Sequence, residues 1–114
     1  MTSPANANAD VDPTDAAHLL GNGAVLIDVR EPDEWAAGHA PDARHLPLGD
    51  LRATALPADR TLITVCRSGK RSSVAAEKLR AAGLSVRNLT GGMQAWAAAG
   101  LPVRDDQDRP GSVA

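Results

Sequence analysis

The chain predicts an α/β domain built on a mainly parallel sheet, and three observations carry that prediction. Two continuous apolar runs, AVLIDV at 24–29 and LITV at 62–65, lack the alternation of a half-exposed strand and read as strands buried on both faces. Such runs alternate along the chain with segments of helical period. The strand at 24–29 leads into charged residues, Asp28-Val29-Arg30-Glu31, at the carboxyl edge where open α/β sheets place their sites.

A length of 114 residues sets one domain with a real but modest core. With two Trp, no Phe and no Tyr, that core must be filled by Leu, Val, Ile and Ala. A net charge of −2 and so few aromatics give no surface for nucleic acid or for an anionic membrane. A single cysteine excludes an internal disulfide, a CxxC redox pair and a cysteine-based zinc site. A free thiol suits a reducing compartment. The opening MTSPANANADVDP carries neither a basic residue nor an apolar stretch of signal-peptide type. No apolar run reaches membrane-spanning length. The expected location is the cytoplasm.

Taken in order, Met1 to about Val11 is an Ala/Asn/Asp/Pro segment without periodicity, expected to be a disordered tail before a domain at 12–103. Asp12-Pro13-Thr14 is a helix start, with Asp12 or Thr14 as cap. The helix runs over Asp15–Leu20, buries Ala16, Leu19 and Leu20, leaves His18 at the rim, and ends at Gly21-Asn22-Gly23. After the first strand, Pro32 opens a short helix, Asp33 to Ala37, which Gly38 stops. Trp35 on that helix is expected in the core. An irregular loop, His39–Ala43, leads to a short strand at Arg44–Leu46, and Pro47 begins a short helix through Leu51 and Arg52. Ala53–Arg60 reads as a polar linker.

Strand Leu62–Val65 runs straight into Cys66, and Arg67-Ser68-Gly69-Lys70-Arg71 follows. A helix over Ser72–Ala82 comes next, with Ala75, Leu79 and Ala82 inward and Glu77, Lys78 and Arg80 towards water. Val86–Leu89 is a strand. Gly91-Gly92 opens a last helix with Met93 and Trp96, Trp96 in the core. Gly100-Leu101-Pro102 closes the domain, and 104–114 is expected to be a flexible, charged tail.

The stretch at 61–76 is the chemical centre. A cysteine at the end of a buried strand is ordinarily an inert small hydrophobe, but no apolar packing site calls for Arg67, Lys70 and Arg71 beside it. A strand passing through a tight loop into a helix aims backbone N–H groups at one spot. A thiol there is favoured as thiolate. Gly69 lets the loop turn. None of the three histidines is needed as a base, because an ionised thiolate requires none, and His45 has no companion at ligand spacing.

Four pieces of the chain, in order, resemble the rhodanese-like sulfurtransferases: LIDVREPDEW at 26–35, GHAPDARHLP at 38–47, CRSGKRS at 66–72 and NLTGGMQAW at 88–96. The second departs from the family habit, with Ala40 in place of a larger aliphatic and Asp42 in place of glycine. The resemblance implies a rhodanese-like three-layer sandwich, an about five-stranded parallel sheet with helices on both faces. It implies that Cys66 is a persulfide-carrying nucleophile, with no metal and no organic cofactor. Family members take a sulfane sulfur from a donor such as thiosulfate and pass it to cyanide or another thiophilic acceptor.

For a dianionic donor and an anionic persulfide, the amides of Arg67, Ser68, Gly69, Lys70, Arg71 and Ser72 and the three cations are the expected binding groups. Only four residues separate Cys66 from Arg71, one fewer than in the loop with which related phosphatases and arsenate reductases encircle a tetrahedral oxyanion, which sets that chemistry aside. A mercaptopyruvate donor fits less well, because family members that use it have a less basic loop. Asp28 and Arg30 have two readings, bracing the loop from the neighbouring strand or forming a surface or structural ion pair such as Arg30 with Glu34. His39 has three readings, meeting Glu34, lining the mouth of the site, or, the more ordinary role, fixing the loop by hydrogen bonds. An enzyme acting on thiosulfate and a relay module fed with persulfide by a partner protein are the two functions to separate.

Overall fold

The computed structural model describes residues 9–114. Its order of elements is α1 (Pro13–Gly21), β1 (Val25–Asp28), α2 (Pro32–Ala37), β2 (Arg44–His45), β3 (Leu62–Val65), α3 (Lys70–Ala81), β4 (Val86–Asn88) and α4 (Gly92–Ala98), with 3₁₀ turns at Leu48–Asp50 and Ala53–Ala55. The strands form one sheet in the order β2-β1-β3-β4, and every pairing is parallel. The register sets Asp28 beside Val65, so the carboxyl ends of β1 and β3 lie together. Among the described residues the sheet has four strands rather than five. The fifth is reduced to one residue, Val11, which makes a single parallel bridge to Leu89.

Alternation along the strands divides the core into two faces. Val25, Ile27, Leu62 and Val86 pack with Ala75, Ala76 and Leu79 of α3 on one side, and Cys66 belongs to this cluster. Leu26, Ile63, Val65 and Leu89 pack with Ala16 of α1 and Met93 and Trp96 of α4 on the other. Helices therefore cover both faces. This is the reason the strand runs read as continuously apolar.

Several boundaries differ from expectation for local reasons. α3 begins at Lys70, two residues early, because Gly69 at φ 110 turns the chain directly into the helix. Ala82 falls beyond its end and is exposed. Pro47–Arg52 makes only a 3₁₀ turn, and the linker at 53–60 carries one as well, with Leu56 buried against the α3 face. Trp96 is in the core, its indole N–H donating to Pro102 O at 2.8 Å. Trp35 is not. It is half-buried, and its ring stacks with those of His39 (centroids 3.6 Å apart) and His45 (4.7 Å).

The two tails also differ. Residues 1–8 lie outside the described residues, but Val11 is 3% exposed and hydrogen-bonded to both Asn88 O and Thr90 N. At the other end, residues 104–114 fold back on the domain. Arg104 and His39 exchange backbone hydrogen bonds at 2.8 Å, Gly111 N donates to Val103 O, Ser112 N donates to Ala37 O, and Val113 packs on the core. Asp105 organises the turn between by accepting from the backbone of Gln107 and Arg109. A Cβ at Gly38 would run into the Ser112 backbone. The segment satisfies its polar groups on a loop rather than a sheet, so no periodicity announces it. Among the described residues no helix is long and apolar enough to cross a membrane.

Candidate active site

β3 delivers Cys66 to the floor of a three-residue loop, and Gly69 turns that loop into α3. Cys66 Sγ accepts from Gly69 N at 3.1 Å and lies 3.3 Å from Ser72 Oγ. Burial pushes the thiol pKa up, but the Ser72 hydroxyl and the backbone N–H groups of Ser72, Gly69 and Ser68 outweigh it, so the net direction is down. Dipoles of the loop and the first turn of α3 thus lead the effect, rather than the cations expected to share it. The sulfur is not open to solvent in this conformation, since Cys66 is 1% exposed.

The loop is held from beneath by groups that sequence reasoning did not assign. Met93 N donates to Cys66 O at 2.7 Å and Gln94 N to Arg67 O at 3.1 Å, so the first turn of α4 grips both carbonyls. Gly92, at φ 61, permits that approach, because a Cβ there would collide with the carbonyl oxygens of Cys66 and Arg67. Asn88, at the end of β4 and 5% exposed, accepts from Ser72 Oγ at 2.6 Å and donates through Nδ2 to Gly69 O at 3.3 Å. Thr64 Oγ1 donates to Ser72 O at 2.9 Å. A glycine pair following Asn-Leu-Thr was the available signal for this seat.

The cations separate into two kinds. Arg67 and Lys70 are exposed. Arg71 instead closes a two-bonded fork on Glu34 of α2. The Arg71 bond holds the Glu34 carboxyl down at about 2 against the opposing effect of burial, with help from the Glu31 N–H. In return Arg71 is raised, by Glu34 first and in part by Cys66. Arg71 thus acts as a clamp between α2 and α3 rather than standing as a free cation.

Asp28 and Arg30 form a structural ion pair with each other, buried rather than at the surface and without Glu34 as the partner. Both side chains are 0% exposed, joined by Nε–Oδ1 at 2.9 Å and Nη2–Oδ2 at 2.8 Å, and Arg30 Nη2 also donates to Gly38 O. They tie the end of β1 to the loop after α2. His39 donates from Nδ1 to Trp35 O, fixing its own loop, and His45 donates from Nε2 to Arg30 O. Cys66 Sγ takes its hydrogen bonds from Gly69 and Ser72, not from an imidazole. Among the described residues no cluster of His, Cys, Asp or Glu is placed to hold a metal ion.

Beside the loop is an open cleft of about 520 Å³ whose lining includes Ser68, Gly69, Lys70, Asn88 and Gly91. A second, more apolar cavity of about 340 Å³ lies at Ala40, Leu20, Trp96 and Leu101 and shares no residue with the loop.

A parallel α/β sheet with helices on both faces, presenting one cysteine in an amide-lined loop at its carboxyl edge, defines a thiol-centred α/β domain. The chain belongs to the rhodanese-like domain family, whose model matches residues 12–99. It is 38% identical over 117 aligned residues to the uncharacterized protein slr1261 of Synechocystis, covering 99% of this chain and 65% of that one. The thiosulfate sulfurtransferase GlpE of Ectopseudomonas mendocina is 38% identical over 91 residues, 77% of this chain and 84% of the relative. Among solved structures, a rhodanese-related protein from Thermoplasma volcanium superposes with a TM-score of 0.78 at 29% identity, covering 83% of this chain and 96% of that one.

Proposed function

We propose that the protein is a sulfurtransferase that moves a sulfane sulfur from thiosulfate, or a related anionic donor, to cyanide or another thiophilic acceptor through a persulfide on Cys66. The observation that carries this reading is the pair of donors on Cys66 Sγ, Gly69 N and Ser72 Oγ. They stabilise a negative sulfur without a metal or a base.

The thiolate attacks the outer sulfur of thiosulfate. A Cys66 S–S bond forms, the bond between the outer sulfur and the sulfonate breaks, and its electron pair leaves with sulfite. Cyanide then attacks the terminal sulfur, thiocyanate departs, and the electron pair of the broken bond restores the thiolate. One hard transfer becomes two easier ones. Arg67 and Lys70, exposed at the loop, attract the donor and steady the departing sulfite. Because Cys66 is 1% exposed, its surroundings have to yield as the donor comes in, which favours a small donor over a bulky one. A reducing compartment such as the cytoplasm keeps the single thiol available.

The test is intact-mass analysis after exposure to thiosulfate, followed by a thiosulfate:cyanide assay, with Cys66→Ser as control. Gain of one sulfur atom on the wild type alone, together with thiocyanate production, supports the proposal. Persulfide without turnover would assign the chain to relay between proteins. No sulfur uptake from thiosulfate or a persulfide donor would overturn both.

A further inference from the structure

We infer that Asn88 is a positioning residue for the nucleophile, competing with Cys66 Sγ for the one hydroxyl proton of Ser72. This rests on the reading of Cys66 as the reacting thiolate. Ser72 Oγ lies 2.6 Å from Asn88 Oδ1 and 3.3 Å from Cys66 Sγ. Both are acceptors when the sulfur is ionised, and a hydroxyl has one proton to donate.

While Cys66 is protonated, its S–H faces the Ser72 oxygen and the Ser72 O–H goes to Asn88. When Cys66 ionises, the Ser72 O–H turns to sulfur and leaves Asn88 Oδ1 without that donor at a site 5% exposed. A buried acceptor that loses its partner opposes the change. The amide cannot escape by turning over, because Nδ2 donates to Gly69 O and a flipped side chain would set oxygen against oxygen. Asn88 thus holds the loop with one end and restrains thiol ionisation with the other.

The charged groups around the sulfur are a constant background to this competition. They are Arg67 on the loop, Lys70 and Arg71 on α3 with Glu34 of α2 on Arg71, the Asp28–Arg30 pair on the β1 side, and the carboxylates of Glu77 on α3 and Asp10, which line the same cleft as Gly69 and Asn88. β4 adds Arg87, one residue from Asn88 and so on the opposite side of the strand. α4 carries no charged residue.

The experiment follows the pH dependence of iodoacetamide alkylation of Cys66, a readout of ionisation independent of sulfur transfer. Ser72→Ala is expected to move the midpoint up and Asn88→Ala to move it down, with a severalfold faster reaction at a pH below the wild-type midpoint. The Ser72→Ala/Asn88→Ala double variant is expected to match Ser72→Ala, because Asn88 acts only through that hydroxyl. A purely structural Asn88 predicts the reverse sign, since a loosened loop holds its amides less well. An upward or absent shift in Asn88→Ala therefore overturns the inference even if sulfur transfer stands. Should that variant not fold, the wild type decides the matter by NMR. The Asn88 side-chain carbonyl carbon must titrate with the thiol midpoint, and a flat response overturns the inference.

Discussion

Both terminal nitrogens of Arg71 meet the two carboxylate oxygens of Glu34, at 2.7 and 2.8 Å, across 37 positions of sequence. The fork fastens the first turn of α3 to α2, directly beside the Cys66 loop. It also withdraws one guanidinium from competition for anions.

Removing this fork has a pH signature. The Glu34 carboxyl stands at about 2 rather than 4.5, because Arg71 favours its charged form against the burial that opposes it. A carboxyl depressed in the folded state contributes stability that is complete above about 4.5 and is lost as pH falls towards 2. Glu34→Gln should cost about 1 kcal/mol at pH 7, allowing for solvent screening of a partly exposed pair. Urea denaturation of both proteins at pH 7 and pH 3 checks this, and the gap should narrow at the lower pH. An equal gap at both would remove the ion pair as its source.

The two kinds of cation should separate kinetically. Arg67→Ala is expected to raise the KM for thiosulfate more than it lowers kcat, as for a lost ground-state contact, and to leave the melting temperature unchanged. Arg71→Ala is expected instead to lower the melting temperature, by breaking the fork on Glu34, with the smaller change in KM. Steady-state kinetics beside calorimetry distinguishes them. An Arg67→Ala enzyme with unaltered KM would deny that residue a part in donor binding.

Gly92→Ala attacks the seat of the loop. The new methyl meets the carbonyl oxygens of Cys66 and Arg67 at a backbone φ of 61, so the loop must rise off α4. A loss of about 2–3 kcal/mol is expected from strain and broken hydrogen bonds, measurable by denaturation. The pH midpoint of thiol alkylation should rise with it. A variant of wild-type stability would show that α4 does not carry the loop.

Truncation after Val103 tests the returning C-terminal segment. It removes the Arg104–His39 pairing, the Ser112 bond to Ala37 and the packing of Val113. A decrease of about 1–2 kcal/mol is expected, with faster hydrogen exchange at the Gly38 and His39 amides. Unchanged exchange at His39 would mean the segment adds nothing to that loop.

Much of the architecture was legible because Val25–Asp28 and Leu62–Val65 are covered on both faces, and double burial writes itself as an uninterrupted apolar run. The family, too, was readable from four separated motifs. What remained hidden depended on contacts between distant residues. Trp35 looks like a core residue until His39 and His45 are brought into stacking contact with it. Arg71 looks like a free cation until α2 presents Glu34. Asn88 occupies an ordinary strand position, and only the approach of α3 turns its amide towards Ser72 and Gly69. The C-terminal segment has no pattern because its bonds run to loop backbone at Ala37 and His39.

The division between main chain and side chain at Cys66 has an evolutionary consequence. Gly69 N–H, a group every amino acid except proline would supply, and one small hydroxyl hold the sulfur, whereas Arg67 and Lys70 project outward. Under the proposed function, mutation at those two outward positions would retune which anion is welcomed while the Cys66 thiol keeps its surroundings. A lineage of such domains could drift from one sulfur source to another without ever passing through an inert ancestor.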